Sequence, residues 1–159
     1  MKAWIGIDPG ASGAIAALTE AGEVKVLRLC KATNKEVYEF LIELSFAYEC
    51  FAIKEKVWAM PAKNPDGSDR KMGTQTMFEF GVNNGFILGL LTAAGIPFEE
   101  KGPQTWQKLF SMKREKTESQ TEFKRRLKEK AENLFPNIKI TNDQADAILI
   151  AEFCKRTTQ

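Results

Sequence analysis

Four carboxylates occupy positions that solvation alone does not explain. Asp8 ends an apolar run that begins at Trp4, and Glu55 lies in an apolar and basic run. Asp143 and Asp146 are three residues apart at the start of a largely apolar segment, so a helix there would direct both to one face. Aspartate is depleted in strands. Asp8 therefore either bonds to the Pro-Gly turn that follows it or belongs to a site.

If these acids converge, their chemistry is that of oxygen-ligated metal ions. Two carboxylates about 4 Å apart repel by roughly 4 kcal/mol at an effective dielectric of about 20, so such a cluster needs protons or cations. The chain has no histidine, which excludes a catalytic triad and any His-ligated metal. Oxygen ligands favour Mg²⁺ or Mn²⁺ over Zn²⁺, and two such ions about 3.5–4 Å apart can promote phosphodiester hydrolysis. The alternative for Asp143 is a helix N-terminal acid favoured by the dipole.

Basic residues are concentrated in one block of the chain. Residues 101–130 hold 10 Lys or Arg and 4 Asp or Glu, whereas residues 1–100 and 131–159 are mildly acidic. A basic block beside an acidic site favours contact with a polyanion such as a nucleic acid. A solvated, lysine-rich helix face is the alternative.

The hydrophobic pattern predicts an α/β architecture that would position these groups. Capping-box spacing at Thr33–Glu36 and Ser119–Glu122 predicts two helix starts. The order of three strands, helix, strand, helix, strand and further helices implies a mixed five-stranded sheet flanked by helices. The predicted strands are 4–8, 14–18, 24–30, 51–57 and 96–101, and the predicted helices are 35–48, 74–93, 103–110, one from the cap at 119 to the proline at 136, and 143–155.

Gly81, Gly85 and Gly89 form one stripe along the predicted helix 74–93. Each glycine costs about 1 kcal/mol relative to alanine inside a helix, so three in register require compensation. Close approach of another backbone would supply it. That backbone belongs either to the protein's own sheet or to a second copy of the chain across a dimer interface.

Composition is that of an ordinary globular protein. Its 159 residues suit one domain (1–159), with 43% hydrophobic and 28% charged residues. No apolar run approaches the roughly 20 residues of a membrane span, and no signal pattern opens the chain. The three cysteines are odd in number and widely spaced, which fits neither a disulfide framework nor a zinc site and indicates a cytoplasmic location.

Three acidic motifs, in this order, resemble those of RuvC-type Holliday junction resolvases. They are Gly6-Ile7-Asp8-Pro9-Gly10, Ile53-Lys54-Glu55-Lys56-Val57 and Asp143-Gln144-Ala145-Asp146-Ala147. The segments 59–61, 103–106 and 147–152 are similar to phage-type and prophage-type members. The resemblance spans nearly the whole chain. It implies a ribonuclease H-like fold, a homodimer, and two Mg²⁺-dependent nicks placed symmetrically across a four-way DNA junction.

The resemblance also implies roles for single residues. Asp8, Glu55, Asp143 and Asp146 match the family's metal-binding carboxylates, which would hold two Mg²⁺ ions per active site, with Mn²⁺ as a substitute. Lys116 resembles the lysine near the scissile phosphate. The glycine-striped helix aligns with the element that forms the family's dimer interface.

The same resemblance implies a set of DNA-binding residues. Trp58 lies where members often place an aromatic side chain that contacts bases near the crossover. A stacked indole contributes about 1–3 kcal/mol per base, and a buried tryptophan is the alternative. The basic block supplies the further candidates Lys108, Lys113, Arg114 and Lys116.

Two features depart from the family pattern. Some members carry a histidine near the last motif, and this chain has none, so attack would rely on metal-bound water helped by a lysine. The segment 62–71 is also longer than in those relatives. Because it follows Trp58, the departure leaves junction-shape selectivity and sequence preference open.

Three other functions fit parts of the sequence. The Asp-Pro-Gly-Ala-Ser-Gly turn also resembles the phosphate-binding turn of actin-like ATPases and sugar kinases, but those enzymes need two such lobes. Another ribonuclease H-like nuclease, acting on other branched DNA or on RNA–DNA hybrids, is the main alternative to a junction resolvase. A non-catalytic junction-binding protein is disfavoured because all four carboxylates are present.

Overall fold

A computed structural model describes residues 1–10, 12–58, 62–63, 69–70 and 73–158. A short 3₁₀ turn, Leu29–Lys31, lies between the third strand and the first helix. The strands are β1 (Lys2–Asp8), β2 (Ala14–Thr19), β3 (Val24–Arg28), β4 (Glu49–Glu55), β5 (Ala62–Lys63), β6 (Asp69–Arg70) and β7 (Phe98–Lys101). The helices are α1 (Asn34–Ala47), α2 (Thr74–Ala93), α3 (Pro103–Leu109), α4 (Gln120–Leu134) and α5 (Asn142–Thr157).

Five strands form one mixed sheet in the order β3-β2-β1-β4-β7. The first three strands are antiparallel neighbours, whereas β4 runs parallel to both β1 and β7. This arrangement confirms the predicted mixed five-stranded sheet flanked by helices. Because β1 and β4 are parallel neighbours, their carboxyl ends lie at the same edge of the sheet.

The β1–β2 hairpin depends on one glycine in its turn. The amide of Gly13 donates to the carbonyl of Gly10 at 2.8 Å. A Cβ atom on Gly13 would lie 2.1 Å from the carbonyl oxygen of Asp8, so no other residue fits this turn. The turn thereby ends β1 at Asp8 and returns the chain as β2 from Ala14, directly opposite.

Helix α5 packs directly on the centre of the sheet. A Cβ atom on Gly6 would lie 2.1 Å from the backbone nitrogen of Ala151, so β1 approaches the helix backbone itself. Residues 145–151 are all buried, because the sheet covers one side of α5 and helices α3 and α4 cover the other. The first turn of α5 consequently lies beside the carboxyl ends of β1 and β4.

The opposite face of the sheet packs on α1 and α2. Its core includes Ile5 and Ile7 from β1, Leu41 from α1 and Leu91 from α2. Both predicted capping boxes are present, at Thr33 and at Ser119. Helix α2 has its predicted bounds and ends before Gly95, which adopts φ +65°. Within the described residues, no helix is long and apolar enough to cross a membrane.

Most predicted strand bounds differ from the structure by one or two residues. β1 begins at 2 rather than at 4 and β4 at 49 rather than at 51, because Lys2 already pairs with Glu49. β4 ends at Glu55 rather than at 57, because its partner β7 ends opposite at Lys101 and α3 begins two residues later. β3 ends at Arg28 rather than at 30, since β2 begins opposite it. β7 begins at 98 rather than at 96, because the amide of Ile96 still bonds to the carbonyl of Leu91 at the end of α2 (3.0 Å).

The long segment after Trp58 is described only in part. Ala62–Lys63 and Asp69–Arg70 pair as a short antiparallel ribbon. The remainder of the 62–71 insertion, and the motif at 59–61, lie outside the described residues.

Candidate active site

The sheet brings two of the predicted acids together at one edge. Asp8 is the last residue of β1 and Glu55 the last of β4, and the register pairs Ile7 with Lys54 immediately before them. The second turn of α5, which packs on the sheet, adds Asp146. We call Asp8, Glu55 and Asp146 the inner carboxylates.

The inner carboxylates share one electrostatic environment. Burial, together with the charges of Asp8 and Asp146, raises the pKa of Glu55 to about 7. Burial likewise raises the pKa of Asp146, and Asp8 adds to the effect. Glu55 and Asp146 are thus harder to ionise than ordinary carboxyl groups, and a bound cation would favour their ionised forms. Asp8 also accepts a hydrogen bond from the amide of Gly10 (3.1 Å), so its turn-capping role is real as well.

Lys124 of α4 is the counter-ion of this cluster. Its ammonium donates a hydrogen bond to Oδ2 of Asp146. Burial alone would lower the pKa of Lys124, but the charge and hydrogen bond of Asp146, together with the charges of Asp8 and Glu55, raise it. Lysine therefore stays charged among the acids and offsets part of their repulsion.

Lys124 was not predicted from the sequence, in which Lys116 is the candidate catalytic lysine. Lys116 is exposed in the segment between α3 and α4, and its catalytic role stays a prediction. The available signal was the position of Lys124 directly after the buried Phe123, at the flank of the apolar face of α4. Distance to the acids across the fold could not be deduced from that signal.

Two buried side chains fix Glu55. The fully buried indole of Trp106 donates a hydrogen bond from Nε1 to Oε2 of Glu55 at 2.8 Å. This hydrogen bond lowers the pKa of Glu55 and so offsets part of the increase that burial causes. Lys54, also fully buried, donates to the carbonyl of Glu55 (3.1 Å) and to Oε1 of Glu100 on β7 (2.6 Å). Glu55 is consequently held both through its carboxylate and through its backbone.

Asp143 has partners of its own. Its Oδ2 accepts a hydrogen bond from Nε of Arg28, and its Oδ1 accepts one from the hydroxyl of Thr141. Burial would raise the pKa of Asp143, but these two bonds hold it below its ordinary value. We call Arg28 and Asp143 the outer pair. They line a cavity of about 520 Å³ together with Asp8 and Lys124.

The donor set of the inner carboxylates fits a hard divalent cation. Oδ1 of Asp146 is buried without a hydrogen-bond partner, and the Asp146 side chain is only 7% exposed. An unpartnered buried carboxylate oxygen is costly, and a cation would satisfy it. Among the described residues, no three Asp, Glu, Cys or His side chains are yet arranged to hold a metal. The cations of Lys124 and Arg28 instead occupy one oxygen each of Asp146 and Asp143.

Trp58 lies on the surface rather than in the core. Its side chain is 53% exposed, so the alternative of a buried tryptophan is wrong. The ring packs beside Gly102, where a Cβ atom would lie 3.2 Å from its Cη2 atom, and Lys56 lies over it at 5.7 Å from the ring centre. An exposed indole next to a lysine suits stacking on a base beside a phosphate.

The predicted DNA-binding cations lie together on α3 and the segment that follows it. Lys108, Lys113 and Arg114 are exposed and line a cleft of about 760 Å³ with Met112. Lys116 is exposed two residues beyond Arg114.

The glycine stripe of α2 does not pack on the protein's own sheet. Among the described residues, a Cβ atom on Gly81, Gly85 or Gly89 would meet no atom within 4 Å. The large apolar side chains of Phe78 and Val82 on the same helix are 67% and 52% exposed. The explanation by packing against the sheet is therefore wrong, whereas packing across a dimer interface stays a prediction.

Comparison with known proteins identifies the fold. No family model matches the sequence, and no curated protein matches it either. The structure of T. thermophilus RuvC in complex with a Holliday junction substrate superposes with a TM-score of 0.61 at 14% identity, covering 98% of this chain and 96% of that one. A second Thermus thermophilus RuvC structure gives a TM-score of 0.57 at 17% identity, with the same coverage. The chain has the RuvC fold.

The RuvC fold is the ribonuclease H-like arrangement that the three acidic motifs implied. The match covers almost the whole of both chains, so the sheet edge with its acids lies inside the shared architecture. The phage-type resemblance of segments 59–61, 103–106 and 147–152 stays a prediction.

Proposed function

We propose that this protein is a metal-dependent endonuclease that resolves four-way DNA junctions by paired symmetric nicks. One observation supports it above all: the half-buried Asp8 and Glu55 end β1 and β4 beside the buried Asp146, whose Oδ1 has no hydrogen-bond partner among the described residues. The likeness to RuvC, solved with a Holliday junction substrate, supports four-way DNA as the substrate class.

In this proposal Asp8, Glu55, Asp143 and Asp146 hold two Mg²⁺ ions, for which Mn²⁺ can substitute. Bound there, the metal would supply an activated water and Lewis-acid stabilisation of the leaving oxygen. The chain's own residues prepare the site. Trp106 orients Glu55 through its indole, and the charged Lys124 lies where it can neutralise a phosphate that approaches the acids.

In this proposal, exposed residues outside the carboxylate cluster contact the DNA. Trp58 stacks on a base near the crossover, and Lys108, Lys113, Arg114 and Lys116 bind phosphates along the cleft. Each phosphate-binding cation should steepen the salt dependence of junction affinity by about 0.9 in the slope of log K against log salt.

Paired nicks require two active sites, and the proposed dimer supplies them through the helix with Gly81, Gly85 and Gly89. The exposed Phe78 and Val82 beside the stripe would be covered by a second copy. Sizing in solution at micromolar concentration tests this. Phe78→Asp should yield monomers, whereas Phe46→Asp, an equally apolar exposed site on α1, should not. A wild-type monomer would remove the argument for paired cutting.

Cleavage of a synthetic four-way junction tests the proposed activity. We expect two symmetric nicks with Mg²⁺, none with EDTA, and none with Asp8→Asn or Asp146→Asn, while both variants still bind the junction. Glu43→Gln, on the exposed face of α1, is the matched control and should cut normally. Absence of cleavage with either Mg²⁺ or Mn²⁺ would contradict the proposal.

The same assay separates the alternatives. Equal cleavage of an RNA–DNA hybrid or of a linear duplex would favour another ribonuclease H-like nuclease. Tight junction binding without cleavage would favour a non-catalytic binding protein. Loss of junction binding in Asp146→Asn would mean that Asp146 has a structural rather than a metal-binding role.

A further inference from the structure

Asp143 differs from the inner carboxylates because the chain itself satisfies both of its oxygens. Arg28 binds Oδ2 and Thr141 binds Oδ1. Arg28 is the last residue of β3, and Asp143 is in the first turn of α5, so the pair joins two elements that are 115 positions apart in the chain. The charge-assisted hydrogen bond from Nε of Arg28 and the bond from Thr141 together hold the Asp143 carboxylate by both oxygens.

We propose that Arg28 is a positioning residue: it holds the carboxylate of Asp143 until a divalent cation binds that carboxylate and displaces Arg28. The inference rests on the proposed function, because it requires that Asp143 bind the metal. Arg28 and the metal then compete for the same carboxylate oxygen. Release of Asp143 completes the set of four carboxylates, so Arg28 sets the metal concentration at which the site fills.

The surroundings of the outer pair allow this exchange. Arg28 and Asp143 line the same cavity as Asp8, which leaves the guanidinium room to move once it leaves the carboxylate. The Arg28 side chain is 36% exposed, so its release requires no rearrangement of the core. Asp146, in contrast, keeps a free buried oxygen and can accept a cation without losing Lys124.

Removal of the competing arginine should tighten metal binding. In calorimetric titrations of the DNA-free protein with Mn²⁺, we expect Arg28→Met to lower the Kd of the second ion, the one that Asp143 binds, by about fivefold, the effect of deleting one partly exposed ion pair. Arg126→Met is the matched control: Arg126 is also 36% exposed and pairs with Glu118, a carboxylate of similar burial. The control loses the same charge and should keep the wild-type Kd.

A second measurement follows the displacement directly. The Nε–H resonance of Arg28, assigned by its loss in Arg28→Met, should shift when Mg²⁺ is added, while that of Arg126 stays in place. An Nε–H resonance of Arg28 that does not move at saturating Mg²⁺, or an Mn²⁺ Kd unchanged in Arg28→Met, would overturn the inference. Failure of the wild-type protein to bind Mn²⁺ would instead overturn the proposed function.

Discussion

The inner carboxylates and the outer pair are neighbouring acidic groups that the fold treats in opposite ways. Asp8 and Glu55 are half-buried beside the buried Asp146, and Lys124 is the counter-ion that they share within the described part of the chain; burial first, and then the charge of Asp8, raises the pKa values of Glu55 and Asp146. Asp143 pairs with Arg28 and accepts a hydrogen bond from Thr141, and these interactions lower its pKa. Three acids are left short of positive charge, and the fourth is already satisfied.

Under the proposed function, this difference predicts that the two groups bind metal in a fixed order. Acids short of positive charge gain most from a cation, because the cation relieves both their burial and their mutual repulsion. An acid with its own arginine gains less, since one favourable contact replaces another. The inner carboxylates should therefore bind the first ion, and Asp143 should enter only when the second ion is bound.

Substitution of single carboxylates tests this order most directly. Asp146→Asn should abolish both junction cleavage, by at least about a thousandfold, and Mn²⁺ binding, because it removes a ligand of the first ion. Asp143→Asn should also abolish cleavage but retain one bound Mn²⁺. Calorimetry gives the stoichiometry. If the two variants bind equal numbers of Mn²⁺ ions, the inner carboxylates and the outer pair do not differ in the order in which they bind metal.

A second prediction concerns the stability of the metal-free protein. The pKa of Glu55 is about 7 in the folded protein, against an ordinary value of 4.5, so folding favours its protonated form. Below about pH 4.5 the carboxyl is protonated in both states and no penalty arises; as pH rises through about 7 the folded state loses roughly 1–3 kcal/mol. Glu55→Gln should be more stable than wild type by that amount at about pH 8 in EDTA, and equally stable near pH 4.

Urea unfolding at the two pH values measures this effect. Glu23→Gln, on the surface at the start of β3, is the control and should change stability little at either pH. A Glu55→Gln variant that is less stable than wild type at about pH 8 would show that the inner carboxylates are not short of positive charge.

The smallest expected effect belongs to Trp106. Trp106→Phe removes the hydrogen bond that lowers the pKa of Glu55. Metal binding needs an ionised Glu55, so the midpoint of the pH dependence of Mn²⁺ affinity should rise by up to about one pH unit, the value of one hydrogen bond. Trp4→Phe, at another buried tryptophan on β1, controls for the loss of core volume. The same midpoint in both variants would mean that Trp106 only packs.

Much of the fold could be predicted because its signals are local. Capping boxes, the Pro-Gly turn and the alternation of apolar residues predicted the helices and the sheet. Strand ends were less accurate, since β4 stops at Glu55 only because β7 ends opposite it. The glycine stripe was visible in the sequence, but only the open space beside each glycine excluded packing on the protein's own sheet.

The sequence allowed the acids of the candidate site to be predicted, but not their arrangement in space. Asp8, Glu55, Asp143 and Asp146 were identified by residue type, spacing and resemblance. Lys124, Trp106 and Arg28 were missed, because each reaches its carboxylate across the fold from another element. No short-range pattern marks a lysine, a tryptophan or an arginine as the partner of a particular acid.

The sequence by itself determined which chemistry is available: oxygen ligands without histidine, a basic block, and acids at the ends of apolar runs. Only the tertiary structure decided which acids lie together and which has its own counter-ion. The pKa of Glu55 is raised to about 7, whereas Asp143 is paired with Arg28. The physical reason is that burial and Coulomb interactions depend on distances between elements remote in sequence. Those distances exist only once β1, β4, α4 and α5 have packed together.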